Sequence, residues 1–326
     1  MTKRAAADLD AVCRAMRSET LVAVAVHENP DYDALGAAVG LLDLFAQLGV
    51  AGHLFVAADE RLPDAEHIVP PGAVVRGPPP EGASLYAVDC GSFDRIALPL
   101  DVWRGRVVDI DHHPDNTAFG ELNLLRPQAA STSEIVCEIA GCLGLTPSAT
   151  AAAALYTGIS FDTGHFRHAN TTAETLRRAA DLVAGGAAPD ELYRELYERR
   201  TFAGLQLWGR AVAGARRVAG GRAVVSVLTL ADYEATEAGE DETEGIVDSL
   251  RALDGVDAAA LVKEQTRGAR VRVSLRSQEL DVGGLAAVRG GGGHRNAAGF
   301  ASDDGPEEVA RWLSSELAAR LATASS

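Results

Sequence analysis

The chain has 326 residues, 47% hydrophobic and 23% charged, a globular composition long enough for about two domains with cores of their own. A formal charge of −16 and a pI of about 4.9 exclude a protein that grips long duplexes by neutralising many phosphates. There is no apolar run of about eighteen residues, which excludes a membrane-spanning helix.

The four cysteines, Cys13, Cys90, Cys137 and Cys142, form no CxxC pair. The first thirty residues lack a basic start followed by a long apolar core and a cleavage site. Both features point to a cytoplasmic protein with reduced thiols. Lys3 and Lys263 are the only lysines, so positive charge rests on arginine, the better residue for bidentate phosphate contacts. A GC-rich coding bias is the simpler cause of that ratio.

In chain order, residues 5–18 have the spacing of an amphipathic helix, and 21–26 form a continuous apolar run, the pattern of a buried parallel strand. The strand ends at His27-Glu28-Asn29-Pro30-Asp31-Tyr32-Asp33, where Pro30 stops the ladder and turns the chain across the strand's end. From 34 to 48 the apolar positions recur at helical spacing, and Gly36 and Gly40 let that helix lie close to the sheet. Strand, turn and helix make one βα unit with His27, Asp31 and Asp33 in its loop.

A strand is expected at 53–57 and loop over the proline-rich 69–80. The apolar run 84–88 ends in Asp89-Cys90-Gly91-Ser92, and the run 107–110 ends in Asp111-His112-His113-Pro114. Taken alone, an Asp-His-His at a strand end is equally well a set of solvated side chains, because single short motifs carry a high false-positive risk. Three strands ending in acids, one with a histidine pair, favour a shared site, since an α/β sheet delivers the carboxyl ends of its strands to one crevice.

Ser131 and Glu134 have capping-box spacing, so a helix starts there and runs to about 141; its N–H groups either are simply capped or hold a phosphate. An alanine-rich buried helix over 150–160 is followed by Asp162, a further ligand candidate or the cap of the next turn. Three helical patterns over 173–213 form a connector. Strands at 223–228, 258–262 and 271–275 then mark a second domain from about 215. The acidic stretch 234–244 reads as a solvated loop without chemistry.

In the second domain, Arg289-Gly290-Gly291-Gly292-Gly293-His294-Arg295 carries four consecutive glycines ahead of a small apolar strand at 296–301. Their entropic cost is justified where backbone must approach a phosphate or base, with His294 and Arg295 as charged donors. Arg276 and Ser277 end the preceding strand and either face the same crevice or are solvated.

The candidate cluster is therefore His27, Asp31, Asp33, Asp89, His112 and Asp162. Imidazoles among several carboxylates suit Mn²⁺, Mg²⁺ or Fe²⁺ better than a thiolate zinc site. So many acids in one crevice repel unless cations lie between them, and six side chains exceed what one catalytic ion needs. Two ions sharing a carboxylate account for the number better, and such a pair activates a water for phosphoryl transfer.

These residues, in this order, resemble the four metal motifs of the DHH phosphoesterase superfamily, and Gly-Gly-Gly-His-x-x-Ala-Ala-Gly resembles the DHH-associated C-terminal domain. Size and the short connector resemble the branch of oligoribonucleases (nano-RNases) and pAp phosphatases, which includes cyclic-dinucleotide phosphodiesterases. The resemblance implies an α/β fold: a parallel-sheet catalytic domain over 1–185, a helical connector over 186–214 and a smaller α/β substrate-binding domain over 215–326, with the active site in the cleft between the domains. It implies that His27 and Asp31 hold one ion, that Asp33, His112 and Asp162 hold the other, and that Asp89 bridges them. The ions would be Mn²⁺ first, with Mg²⁺ or Co²⁺ as alternatives. His113 would sit beside the scissile phosphate with Asp111 orienting the histidines, and Arg276, Ser277, Gly291, Gly292, Gly293, His294 and Arg295 would grip substrate. Tyr32 stands where relatives mostly have a small residue, and is expected to narrow the substrate entry or stack there.

The expected activity is trimming of short single-stranded oligonucleotides to mononucleotides, with pAp and linear or cyclic dinucleotides such as cyclic di-AMP as related substrates. Long duplexes and membranes are not expected partners, and a homodimer is a further expectation. Inorganic pyrophosphatase is the first alternative, but its relatives carry a lysine-rich second lobe. A processive single-strand exonuclease needs a basic track with stacking aromatics, and aromatics are only 5% here. A nucleotide-binding regulator without catalysis is the third alternative.

Overall fold

The computed structural model describes residues 8–98, 103, 105–198, 200–266, 268–293 and 295–323. The chain divides into two compact units, Met1–Glu198 and Arg199–Ser326. The stretch expected as a connector contributes a helix to each.

The first unit runs α1 (Leu9–Ser18), β1 (Leu21–Ala25), α2 (Tyr32–Gln47), β2 (Ala51–Val56), β3 (Val74–Arg76), β4 (Ser84–Val88), β5 (Val107–Asp111) and β6 (Leu122–Leu125). The helices α3 (Thr132–Leu143), α4 (Ala149–Asp162), α5 (Ala173–Ala184) and α6 (Pro189–Tyr197) follow. Its strands form one parallel sheet in the order β3-β2-β1-β4-β5-β6. The order reverses between β1 and β4, so helices leave to opposite sides there and a crevice opens at the carboxyl ends of these strands.

The helices are held by burial more than by propensity. Leu35, Leu41, Leu44 and Phe45 of α2 are fully buried with Val22 and Val24 of β1, each contributing about 1.5–3 kcal/mol. Asp31 caps α2, its carboxylate accepting from the N–H groups of Asp33 and Ala34. Gly144 ends α3 in the left-handed region at φ 71°, which a residue without Cβ adopts at no steric cost. At Gly158 of α4 an added Cβ would run into Ser133 Oγ and Asp33 Oδ1, so glycine there lets α4 approach the start of α2.

The second unit runs α7 (Phe202–Ala213), β7 (Arg216–Val218), β8 (Ala223–Leu228), α8 (Leu230–Thr236), α9 (Ile246–Arg251), β9 (Ala258–Glu264) and β10 (Val271–Ser277). It ends with α10 (Val282–Ala287), β11 (Gly292–Gly293), β12 (Ala297–Ser302) and α11 (Pro306–Thr323). Its mixed sheet has the order β11-β12-β10-β9-β8-β7, with β8 and β9 parallel and the other pairs antiparallel. Leu207 and Ala211 of α7 bury against Val224 and Leu228 of β8, which ties that helix to this unit.

Several elements differ from expectation. The proline-rich 69–80 contains β3, a three-residue edge strand, a position where neighbouring prolines are tolerated. The acidic 234–244 is not a free loop: α8 ends there, Glu240 accepts from the N–H and hydroxyl of Thr266, and Glu242 accepts from Gly239 N–H and the Thr201 hydroxyl. Cys13 of α1 and Cys142 of α3 are joined in a disulfide with Cα atoms 6.6 Å apart, so the expectation of four thiols fails at these two. The pair is 129 residues apart in sequence and is made by helix packing, which spacing rules cannot see. Cys90 and Cys137 are buried thiols. Among the described residues no helix is long and apolar enough to cross a membrane.

Candidate metal centre

β1, β4 and β5 end side by side and deliver His27, Asp89 and His112 to one place. The first turn of α2 adds Asp31 and Asp33, and the last residue of α4 adds Asp162. Asp162 thus ends a helix, whereas the sequence pattern places it in the turn beyond. Donor atoms of His27, Asp31 and Asp89 lie within 4.8 Å of one another, as do those of Asp33, His112 and Asp162, and those of Asp89, His112 and His113. All six expected ligands are in this cluster, with Asp89 at its centre: His27 Nε2 is 3.7 Å from one of its oxygens and His112 Nε2 3.6 Å from the other. His112 Nε2 is also 3.3 Å from Asp162.

Local structure sets each donor. His27 Nδ1 lies 2.8 Å from the Glu28 carbonyl, which can only accept, so Nδ1 carries the proton and Nε2 keeps its lone pair for the cluster. Asp89 has φ 60°, an uncommon conformation for a residue with a Cβ, and this turn aims its carboxylate inward. Asp33 accepts from the N–H groups of Thr132 at 2.7 Å and Ser133 at 2.9 Å, one on each oxygen, so it faces the positive end of α3 and keeps a lone pair on each oxygen. The α3 N–H groups, which a phosphate could otherwise use, are therefore occupied by Asp33, while Ser131 Oγ caps Glu134 N–H. Glu134 turns to Ala130 N–H and Thr175 rather than closing a capping box on Ser131.

The cluster carries excess negative charge. Among the described residues its carboxylates pair only with imidazoles, not with lysine or arginine. Burial and the charges of Asp33, Asp31 and Asp162 push Asp89 well above the usual carboxylate range. Burial, with Asp33 and Asp31, pushes Asp162 up to about 9. Burial also raises Asp33, with Asp31 adding and His112 and Ser133 opposing. Buried like-charged carboxylates are relieved by cations among them, and this oxygen and imidazole donor set fits hard to borderline divalent ions.

His113 is held differently. Its Nδ1 is 2.8 Å from Asp111 Oδ1, and Asp111 is fully buried, accepting at its other oxygen from Asn116 Nδ2 at 2.6 Å. The hydrogen bond that His113 donates to Asp111 raises the His113 pKa against the effect of burial. For Asp111 burial acts upward, but the bonds from His113 and Asn116 with the His113 charge outweigh it and hold the carboxyl below its ordinary value.

Two contributors have no sequence signal of their own. Thr132 Oγ1 donates to Asp89 Oδ1 at 2.8 Å, and Asn116 joins Asp111 to Asp109 and the Cys90 carbonyl. The sequence marks Thr132 only as part of a helix cap, and Asn116 lies in a stretch without a motif. The Tyr32 ring packs edge-on against Phe161 at 5.3 Å, and its hydroxyl donates to the Asp64 carbonyl.

In the second unit, Arg276 donates to Asp248 Oδ1 at 3.1 Å and to the Leu275 carbonyl, and Ser277 donates to the Leu280 carbonyl. Gly291 lies so close to Gly299 and Phe300 that a Cβ would collide with backbone. Gly292 and Gly293 pair with β12 as β11, and Gly293 has φ 135°. Arg295 is exposed and donates to the Glu279 carbonyl at 3.1 Å. His294 lies outside the described residues.

Comparison with known proteins bears on the family and the fold. Residues 21–159 match the DHH family N-terminal domain, and residues 219–322 match the DHHA1 domain. The chain is 33% identical over 282 residues to the bifunctional oligoribonuclease and PAP phosphatase NrnA of Thermus thermophilus, covering 85% of this chain and 82% of that one. It is 28% identical over 278 residues to the Bacillus subtilis protein of the same name, covering 84% and 86%. Among solved structures, an exopolyphosphatase-related protein of Bacteroides fragilis shares the fold with a TM-score of 0.85 at 23% identity, over 94% of both chains. RecJ of Thermus thermophilus, crystallised with Mn²⁺, superposes with a TM-score of 0.54 at 17% identity, over 97% of this chain and 54% of that one. The chain belongs to the DHH phosphoesterases that carry a DHHA1 domain, a family of metal-dependent enzymes.

Proposed function

We propose that the protein is a two-metal phosphodiesterase, with Mn²⁺ as its preferred ion, that hydrolyses di- to pentanucleotides to mononucleotides, and that pAp and linear or cyclic dinucleotides are related substrates. The observation that carries this reading is the chain of three His/Asp triads, two of which share Asp89 and two of which share His112. His27 and Asp31 would hold one ion, Asp33, His112 and Asp162 the other, and Asp89 would serve both. When bound, the ions would supply Lewis acidity and lower the pKa of a water into the physiological range.

The chain's own groups do the rest. Asp111 holds His113 through Nδ1 and favours its protonated form, which leaves Nε2 on the side of the ring away from that bond. From there it would donate to a phosphate or leaving-group oxygen. Arg276, Ser277, the glycine strand, His294 and Arg295 would hold the nucleotide. The similarity to NrnA proteins over most of the chain supports short oligonucleotides and pAp as the substrate class. Purified protein with Mn²⁺ is expected to release mononucleotides from di- to pentanucleotides and phosphate from pAp, with cyclic di-AMP as a parallel test. No turnover of any of these would overturn the reading.

A further inference from the structure

The second unit's sheet has two unlike faces. α10 and α11 cover one with an apolar core that includes Val273, Leu275, Leu285, Phe300 and Leu313. On the other face α7 and α9 cover β8 and β9 through Leu207, Val247, Leu250 and Leu261. Next to them β10 turns Arg272, Ser274 and Arg276 outward, and the β12 residues opposite these are Ala301, Gly299 and Ala297. This part of the face is a floor of small side chains with a line of arginines along one strand.

Lys263 of β9 lies directly opposite Arg272 in the antiparallel register. Directly opposed residues have Cβ atoms about 4.5–5.5 Å apart, and like charges so placed destabilise a sheet. Neither side chain forms an ion pair among the described residues, whereas Arg276 is held by Asp248. Burial lowers the Lys263 pKa, repulsion from Arg272 and Arg276 adds to this, and Glu244 is the acid that opposes it. A half-buried lysine set against an arginine is relieved by an anion between them.

We propose that Lys263 and Arg272 form a phosphate subsite for an oligonucleotide whose chain runs along the bare face of β10 and β12 between Arg276 and Arg272. This rests on the oligonucleotide reading above and deepens it. Arg272 and Arg276 are four residues apart on one face, about 13 Å, which spans about two nucleotide steps. The subsite therefore acts on trimers and longer chains and is out of reach of a dinucleotide held at Arg276. A phosphate there neutralises the opposed pair, and Gly299, Ala297 and Ala301 leave room for sugar and base.

The test compares wild-type protein with K263Q/R272Q on di- and tetranucleotides, in turnover with Mn²⁺ and in binding of phosphorothioate-linked di- and tetra-adenylate. The expected result is a rise of about tenfold in the tetranucleotide-to-dinucleotide KM ratio, with a matching fall in tetra-adenylate affinity. The salt slope of tetra-adenylate binding should become shallower by about 0.7 for each phosphate that the variant no longer neutralises. Removal of the repulsion should also raise Tm by about 1–3 °C, which shows that the variant folds. An unaltered KM ratio and salt slope overturn the subsite while wild-type turnover leaves the function standing. Absence of wild-type turnover overturns the function instead, and the binding comparison alone then decides the subsite.

Discussion

Asp89 is the residue on which the centre turns: it is buried, strained at φ 60°, fixed by Thr132 and within 3.7 Å of both His27 and His112. If Asp89 serves both ions as proposed, Asp89→Ala lowers kcat by about a thousandfold or more, because the remaining ligands of neither ion replace it. Steady-state kinetics at saturating Mn²⁺ checks this, and retention of a tenth of the activity would remove Asp89 from its role. Asp109 behaves differently. Burial and the charge of Asp111 raise its pKa to about 8 against the bond from Asn116, and Asp109 Oδ2 has no partner among the described residues. A carboxyl whose folded pKa lies above its unfolded value binds more protons when folded, so its contribution to stability falls as pH rises from about 4 to 8. Asp109→Asn is therefore expected to flatten the pH dependence of Tm over that window and to raise Tm at pH 8 by roughly 4–8 °C, equivalent to about 2 kcal/mol. A lower Tm at pH 8 would show that Asp109 is ionised and paired. The candidate ligand acids were legible in sequence because each follows a strand or lies at one end of a helix, whereas Thr132 and Asn116 became visible only once 43 and seven positions of separation were folded away.

At the scale of elements, α4 is an alanine-rich helix whose place is set by what it lacks. Gly158 allows it against Asp33 and Ser133, and one turn later it presents Asp162 to the same cluster. Gly158→Ala would push α4 from the starts of α2 and α3, at a cost of about 1–3 kcal/mol in overpacking. The expected outcome is a Tm lower by roughly 2–10 °C, with activity falling more than tenfold because Asp162 and Asp33 separate. A variant with wild-type activity would show that the two helices relax independently of the site. The same physics explains what could be read in advance. Continuous apolar runs identified β1, β4 and β5, while β3 is a half-buried edge of three residues, too short for any periodic signal.

At the scale of the whole molecule, each of the two units has hydrophobic clusters of its own, and the metal-ligand candidates all lie in the first. Mn²⁺ binding should stabilise that unit alone. At a hundredfold excess over Kd the linkage is about 2.7 kcal/mol, or roughly 5–11 °C for a unit of this size. Calorimetry of the full chain with Mn²⁺ and after chelation is expected to show one transition that moves and one that does not. A uniform shift of both would mean that the units unfold together. The overall acidity disfavours polymers, and it leaves the opposed Lys263 and Arg272 as a local exception.

The amino-acid sequence by itself determined which acids and histidines form the candidate cluster, and the family resemblance, because motif acids and histidines sit at fixed places at the ends of strands and helices. It also determined the α/β alternation, since buried parallel strands and amphipathic helices have different periods. Tertiary structure alone decided the centrality of Asp89, the use of the α3 N–H groups by Asp33, the Cys13–Cys142 pair and the opposition of Lys263 to Arg272. Each of these joins residues from different elements, and strand register and helix packing, not local spacing, choose such partners.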